Sequence, residues 1–314
     1  MLGTIMSGHD EREWAGQVPP RSDLRDGWDY ATAFSRNLGL ISPAEQERLH
    51  TSRVAIPGMG GVGGVHLLTL ARLGVGRFRI ADPDSFDLAN INRQFGAELS
   101  SLGRNKAGVM AERVRAINPE LEVEVYDEPI TAGNAGRFLE GADILLDGID
   151  FFAFVERRLL FAEARQRGLW GITAGPIGFS AAWLLFDPAG MAFEKYFDLR
   201  EGMAPVDQFA SFLVGLTPRG THFPYLDLSY VDRRTGRGPS AGLACMLCAG
   251  VAAAETLKIL LGRGPLRPAP CYAQFDAYRG LFRRGRIRWG NRHPVQRLKR
   301  AFLRRKMLTL GYDG

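Results

Sequence analysis

The sequence predicts an α/β fold built on a doubly wound parallel sheet, and three observations carry that prediction. Short apolar runs such as RVAIPG, FRIADPD and ILLDGID alternate with segments of helical spacing. Such alternation needs crossover connections, which place successive strands side by side and parallel. The runs end in Gly, Pro or Asp, the residues that turn a strand into a loop. The length of 314 residues, with 46% hydrophobic and 24% charged, suits one large domain or two smaller ones and excludes wholesale disorder.

The elements follow in order. Residues 1–30 are polar and proline-containing, and a flexible arm is expected there. Residues 31–51 have helical character, with Ser42 and Pro43 placed as N-cap and first helical residue before AEQERLH. RVAIPG reads as a buried strand entering a glycine-rich turn, and VHLLTLARLGVG as a helix stopped by glycine. FRIADPD is the second strand. RNKAGVMAERVRAI (104–117) is a helix that ends before Asn118-Pro119, and LEVEVYDEPI alternates like a strand. ILLDGID, a helix over about 152–167 and the strand LWGITAG complete the regular part. Beyond it, AAWLLFDP is a strand and 190–240 reads as irregular, rich in Gly, Pro and aromatics. A helix over 240–261 then precedes the strand CYAQFDA. One domain over 31–282, with 188–240 as a long inserted loop, fits this layout.

Composition excludes several classes. No run of about 18 uncharged apolar residues occurs, so no transmembrane segment is expected. The N-terminus MLGTIMSGHDEREW lacks the basic-then-apolar order of a signal peptide. Three cysteines cannot staple a chain of this length, which points to a reduced, cytoplasmic setting. The net charge of +6 is unevenly spread. Residues 283–314 hold eleven Lys and Arg against one acid, Asp313, a net +10 that leaves 1–282 at −4.

The chemistry begins at Gly58-Met59-Gly60-Gly61-Val62-Gly63, a G-x-G-x-x-G between a strand and a helix. Glycine there permits a tight turn and close approach of backbone to a phosphate at the helix N-terminus. The next strand ends in Asp82-Pro83-Asp84, where an acid can accept hydrogen bonds from ribose hydroxyls. A nicotinamide dinucleotide is the usual reading of such a pair, but the residues that follow displace it. Asn90-Ile91-Asn92-Arg93-Gln94, then Lys106, then Asp150 after ILLDGI form an ordered set. Arginine and lysine can clamp a polyphosphate and stabilise charge as pyrophosphate leaves. A carboxylate at the carboxyl end of a parallel strand can hold Mg²⁺. Hydride transfer requires no such clamp.

FSRNLGLI, RVAIPGMGGVGG, ADPDSFDLANINRQF, GRNKAGVMAERVRAINP, ILLDGID and AAETLKILLG together resemble the ThiF/MoeB/HesA family, the ubiquitin-activating-enzyme-like adenylyltransferases. The resemblance covers Phe34 to Phe282. It implies a Rossmann-like sheet, parallel in the first half and antiparallel after about residue 175, and a nucleotidyltransferase that binds ATP and Mg²⁺. A substrate carboxylate would attack the α-phosphate to give an acyl-adenylate and pyrophosphate. By position, Gly58, Gly60, Gly61 and Gly63 would line the nucleotide. Asp84, with Asp82 as neighbouring candidate, would bind ribose. Arg93 and Lys106 would contact phosphates with Asn90 and Gln94 in support, and Asp150 would hold the metal. Arg36 matches an arginine that in the family reaches into the partner subunit's site, which implies a homodimer. Each has a plainer reading: Asp84 as a turn cap, Arg93 and Lys106 as solvated charges, Arg36 as an exposed arginine near a helix.

The pattern also departs from the family. Many members carry two C-x-x-C pairs that hold structural zinc; this chain has only Cys245-Met246-Leu247-Cys248, with His222 and Cys271 isolated. A structural zinc needs four ligands, and two residues three apart on an apolar helix share a face, so the pair reads as packed small hydrophobes. Members that form a thioester use a cysteine in the crossover loop, and none lies between 187 and 244. Either the adenylate passes to a separate nucleophile, which is the preferred reading and makes the aromatic stretch after Asp187-Pro188 the acceptor-binding loop, or Cys245 or Cys248 is brought in.

The expected substrate is the C-terminal carboxylate of a small Gly-ending carrier protein or a ribosomal peptide. NINRQ and GRNKAGVMAERVRAINP also resemble the branch that cyclises threonylcarbamoyladenosine in tRNA, which makes that dehydratase the enzymatic alternative. A non-catalytic nucleotide-binding scaffold is the alternative from another class. The tail segment VQRLKRAFLRRKML places Val295, Leu298, Phe302 and Met307 on a candidate stripe among basic residues. It reads as a helix packed on the body, a tRNA-binding patch, or an amphipathic surface helix.

Overall fold

The computed structural model describes residues 27–231, 238–309 and 311, so nearly all of the expected N-terminal arm lies outside the described residues. The chain is described from a short helix, α1 (Tyr30–Ala33), and a single 3-10 turn at Ser35–Asn37, followed by α2 (Pro43–Thr51). The helical character expected over 31–51 is divided among these pieces, and Ser42 and Pro43 take the N-cap and first helical positions that the sequence predicts. Gly39 takes φ +98°, a left-handed conformation that turns the chain. α2 restarts with Pro43 at its first turn and a reciprocal capping box between Ser42 and Glu45.

The strands and helices of the first half then alternate: β1 (Arg53–Pro57), α3 (Gly61–Arg72), β2 (Arg77–Ala81), α4 (Lys106–Ile117), β3 (Glu122–Tyr126), α5 (Ala135–Leu139), β4 (Ile144–Asp147), α6 (Phe154–Gln166) and β5 (Trp170–Ile177). β6 (Ser180–Phe186) turns back. After it come α7 (Phe193–Phe197), α8 (Pro205–Leu216), α9 (Gly242–Leu261), β7 (Cys271–Asp276), β8 (Leu281–Arg286) and α10 (Pro294–Thr309). The strands form one sheet in the order β3-β2-β1-β4-β5-β6-β7-β8. The first five are parallel to their neighbours, and β6, β7 and β8 pair antiparallel. This is the architecture that the sequence and its family resemblance predict.

The side chains explain why both faces are covered. β1 and β4 are apolar along almost their whole length, as parallel strands buried on two sides must be. Val54, Ile56, Ile144 and Leu146 face a core shared with α3, α4 and α9, while Ala55 and Leu145 face the opposite core with α5, α6 and α8. The single buried cation of β2, Arg79, is paired with Glu124 at 2.6 Å directly across on β3, and it also donates to the carbonyls of Arg137 and Glu140.

Three segments differ from expectation. The 188–240 stretch contains α7 and α8 as well as loop. α8 starts at Pro205 and is buried from Phe209 to Leu216, with its polar side chains, Asp207, Gln208 and Ser211, confined to its first two turns. α9 is long and apolar enough to cross a membrane, although Glu255 and Lys258, an ion pair, interrupt its run. It packs instead on α3, β5 and β6. The basic stretch from 283 onward is in part structural: β8 is the last strand of the sheet, and its exposed Arg283, Arg284 and Arg286 place charge along that edge, which discourages pairing with another sheet.

Two histidines are sealed in these cores. His66 of α3 and His222 are fully buried, and their ring nitrogens lack a hydrogen-bond partner. Desolvation drives His66 down to about 3; it drives His222 down to about 4 against the opposing pull of Asp276. Both folded values lie below the ordinary 6.5, so the stability they contribute is full above that pH and is lost as pH falls toward 4 and 3. The expected slope is about 1.4 kcal/mol per histidine for each pH unit below 6.5. Urea unfolding at pH 7 and pH 5 measures it: His66→Leu should lose less stability over that interval than the wild type, and equal losses would exclude this account.

Candidate active site

Strand order reverses between β1 and β4, and a crevice opens there at the carboxyl ends of the strands. Its floor is three glycine backbones in contact. Gly58 follows β1 with φ +87°, and a Cβ on it would meet the Gly148 carbonyl oxygen at 2.2 Å. A Cβ on Gly63, in the first turn of α3, would meet the Gly58 carbonyl oxygen at 1.7 Å. Gly148 follows β4 and donates to the Pro57 carbonyl at 3.0 Å. No other residue type fits this packing, which brings the N-terminus of α3 to the ends of both strands.

A cavity of about 450 Å³ lies above this floor. Gly58, Gly60, Gly61, Asp82, Asp84, Asn90, Arg93, Gln94, Lys106 and Asp150 of the sequence-derived set all line it. Gly63 does not; it sits behind the loop, where its role is the close packing just described. Arg36 also lies away from the cavity wall, on the exposed 3-10 turn before α2.

The two acids after β2 divide their tasks. Asp82 is buried, and its carboxylate accepts from Met59 N at 2.7 Å and Asp84 N at 2.9 Å, so it ties the glycine loop to β2. Burial raises its pKa, opposed by Lys106 and those two backbone donors. Asp84 is exposed and pairs with the buried Lys106 Nζ at 2.9 Å. Lys106 opens α4, where Asn105 caps the helix by accepting from Gly108 N and holds the Asp82 carbonyl with its amide.

The loop after β2 supplies the other side. Asn90 accepts from Asp87 N at 3.0 Å, and its carbonyl receives the backbone N–H groups of Arg93 and Gln94. Arg93 is half-buried and donates to the Ala89 carbonyl and the Asn92 side chain. Gln94 lies over Gly60, and its buried Oε1 has no partner in the protein. Cys245 of α9 comes within reach of this wall: its Sγ lies 3.0 Å from where a Cβ of Gly61 would stand. Burial pushes its thiol up to about 11 despite the nearby Arg93, so it is a packed, protonated thiol.

Asp150 is exposed and accepts from Phe152 N at 3.0 Å. Its loop is shaped by a buried pair that sequence reasoning missed. Arg157 of α6 and Asp147 of β4 are both almost fully buried and pair at 2.8 Å, and Thr173 of β5 donates to the same carboxylate at 2.7 Å. Arg157 Nη2 donates to the carbonyls of Ile149 and Asp150, at 2.6 and 2.9 Å. The signal was a lone threonine inside LWGITAG and an acid at the end of ILLD, polar residues in strands buried on both sides.

Beyond Asp150, on the β5 side, the wall becomes apolar. Phe209, Phe212 and Leu213 of α8, with Leu226 and Leu228, line it, and Phe152 stacks on Phe209 at 5.6 Å. The strand order therefore sets a sequence of surfaces: acids after β2, glycine loop after β1, Asp150 after β4, apolar wall beside β5.

The donor set suits a nucleoside polyphosphate. Arg93, Lys106, a helix N-terminus, an orphaned buried amide oxygen and the exposed acids Asp84 and Asp150 face one cavity. Mg²⁺ is commonly held by one or two carboxylates with the rest of its shell from phosphates and water, and exposed Asp150 fits that mode. Among the described residues no group of three or more His, Cys, Asp or Glu forms a metal cluster.

The profile of the ThiF family matches residues 34–296. The tRNA threonylcarbamoyladenosine dehydratase of Haemophilus influenzae is 38% identical over 48% of this chain, and the match spans 57% of that protein. The sulfur carrier protein adenylyltransferase of Thermus thermophilus is 31% identical over 82% of this chain and 87% of its own length. The crystal structure of Escherichia coli MccB with ATP shares the fold, with a TM-score of 0.62 at 17% identity over 89% of this chain and 82% of that one.

Removing the brace of the Asp150 loop should be costly. Arg157→Ala leaves Asp147 buried without its cation and should destabilise the protein by about 3–5 kcal/mol in urea unfolding. A loss below about 1 kcal/mol, the range of exposed pairs, would show that the pair is not holding the loop.

Proposed function

Since the chain belongs to the ThiF family, we propose that it is an ATP-dependent adenylyltransferase acting on a carboxylate, in a cytoplasmic setting. The observation that carries this reading is the convergence of the glycine loop, Arg93, Lys106 and Asp150 on one cavity at the β1–β4 crevice. In this reading the nucleoside rests toward β2. Asp82 is occupied with the glycine loop, so the exposed Asp84 is the acceptor for ribose hydroxyls. Lys106 exchanges its pairing with Asp84 for phosphate oxygens, and Arg93 takes phosphate oxygens from the opposite wall.

The reacting carboxylate approaches from the β5 side, with the apolar wall of α8 and the 226–231 loop against the chain that carries it. A carboxylate oxygen forms a bond to the α-phosphorus, the bond to the bridging oxygen breaks, and its electron pair leaves with pyrophosphate. The charge that gathers on the leaving group is met by Arg93 and Lys106, cations held on two walls of the cavity. Asp150 would hold Mg²⁺, which supplies further neutralisation of phosphate charge.

The apolar wall of α8 and the 226–231 loop supports a peptide or small carrier protein as the source of the carboxylate, in keeping with the 31%-identical relative named for a sulfur carrier protein. The relative named tRNA threonylcarbamoyladenosine dehydratase favours a second reading, in which the carboxylate belongs to a modified tRNA base. That match spans about half the length of either protein. ATP–pyrophosphate exchange distinguishes them by which added partner, peptide or tRNA, it requires.

Arg93→Ala should lower exchange by about 100- to 1000-fold while the circular dichroism spectrum is unchanged. Exchange at the wild-type rate would remove Arg93 from the reaction. The exposed Arg36, away from its own cavity, is assigned to the cavity of a second subunit in a homodimer. Arg36→Ala and Arg93→Ala would then be inactive separately, and a mixture allowed to exchange subunits would regain activity through sites that hold both arginines. A mixture as inactive as its parents would place Arg36 outside the reaction or in its own subunit.

A further inference from the structure

The candidate stripe on α10 is divided by the structure. Leu303 and Met307 are buried at 2% and 1% exposure, whereas Val295, Leu298 and Phe302 stand at 51%, 72% and 71%. The two sets lie on different faces. The helix is fixed to the body without the outer set: Gln296 donates to the Val214 carbonyl, Arg300 pairs with Asp198 at 2.8 Å, and Arg304 pairs with Asp207 at 2.9 Å. Spacings of three and four residues align Val295, Leu298 and Phe302 in one row. Exposed Arg305 and Lys306 lie on either side of the row as the helix turns. Trp289 is also exposed; its ring stacks on His293 at 5.8 Å, and His293 accepts from Val295 N, which extends the row beyond the helix start.

We infer that this outer face of α10 is a reversible docking surface for an anionic lipid bilayer. The charge complement is on the chain: eleven Lys and Arg lie between 283 and 314 with one acid, Asp313, and although Arg292, Arg300 and Arg304 are paired with Asp198 and Asp207, Arg297, Arg305 and Lys306 stand exposed on the helix. That asymmetry selects an anionic surface and opposes a second copy of the same face. Nucleic acid would satisfy the cations, yet it offers nothing to exposed valine and leucine side chains. The row is three side chains over about two turns, few beside the roughly 20–30 residues a side of a stable protein interface. A bilayer asks less area of one element, because a single row of apolar side chains enters the headgroup boundary while flanking cations meet lipid phosphates. Trp289 has the apolar body and polar N–H that suit that boundary. None of Trp289, Val295, Leu298 and Phe302 lines the cavity, so the row and the adenylation residues are separate sets.

Co-sedimentation of the full chain tests this with vesicles of phosphatidylcholine alone or mixed with phosphatidylglycerol. Binding to the anionic vesicles is expected at low ionic strength, with at least a roughly tenfold loss in about 0.5 M NaCl and at least roughly tenfold weaker binding to neutral vesicles. The double variant Leu298→Asp, Phe302→Asp, at exposed positions, should lose at least about tenfold of the binding with an unchanged circular dichroism spectrum. Absence of anionic-vesicle binding by the wild type overturns the inference, as does undiminished binding by the folded variant. Salt-sensitive retention of tRNA without vesicle binding would reassign the face to nucleic acid, and a variant-dependent change in oligomeric state without vesicle binding would reassign it to a second copy; either overturns the lipid assignment. Because ATP–pyrophosphate exchange is read separately, failure here leaves the adenylation proposal standing.

Discussion

The structure depends on one steric constraint: the contact of three glycine backbones at the point where the sheet reverses direction. Gly58, Gly63 and Gly148 come so close that a single methyl group on Gly58 or Gly63 would overlap a carbonyl oxygen. Through this contact the strand ends of β1 and β4 and the first turn of α3 share one small volume. The positive end of the α3 dipole and its unpaired N–H groups therefore open onto the same space as the loops that carry chemistry. Asp82 completes the arrangement by holding Met59 N from the neighbouring strand, at the cost of burying a carboxylate. Lys106 and two backbone donors offset that cost.

A second buried carboxylate organises the opposite bank. Asp147 shares its oxygens among Arg157, Thr173 and Ile149 N, and Arg157 in turn holds the carbonyls of the loop that ends in Asp150. Arg157 also lies 4.6 Å from the ring centre of Phe212 on α8. The ionic brace and the apolar wall are thus in contact, so the position of Asp150 and the shape of the substrate side are coupled through packing. Asp84 and Asp150, the exposed acids that would meet a ligand, rest on buried, fully engaged groups.

The same division between a fixed inner set and an available outer set recurs at the C-terminal end. Asp198 gathers Arg292 and Arg300, and Asp207 takes Arg304, so part of the basic charge is used in attaching α10. Arginines of β8 guard the edge of the sheet. What remains is a row of exposed apolar side chains with cations beside it, a surface separate from the cavity.

By itself the sequence determined the alternation of strands and helices, the glycine loop, and the acids and cations that line the cavity. These are legible because each depends on local rules: strand and helix periods, glycine at a positive φ, acids at strand ends. Residues such as Asp147, Arg157 and Thr173 are too far apart in the chain for spacing to reveal their pairing, and α8, although its apolar residues recur with a helical period, lay in a stretch whose Gly, Pro and aromatic content reads as loop. Gly63 was read as a nucleotide contact because spacing alone does not tell a glycine that faces a ligand from one that faces a strand. On α10, one helical repeat admitted two apolar faces, and only the tertiary structure decided which was covered. The reason is physical: a sequence specifies which surfaces are apolar, and the packing of distant elements specifies which of them are removed from water.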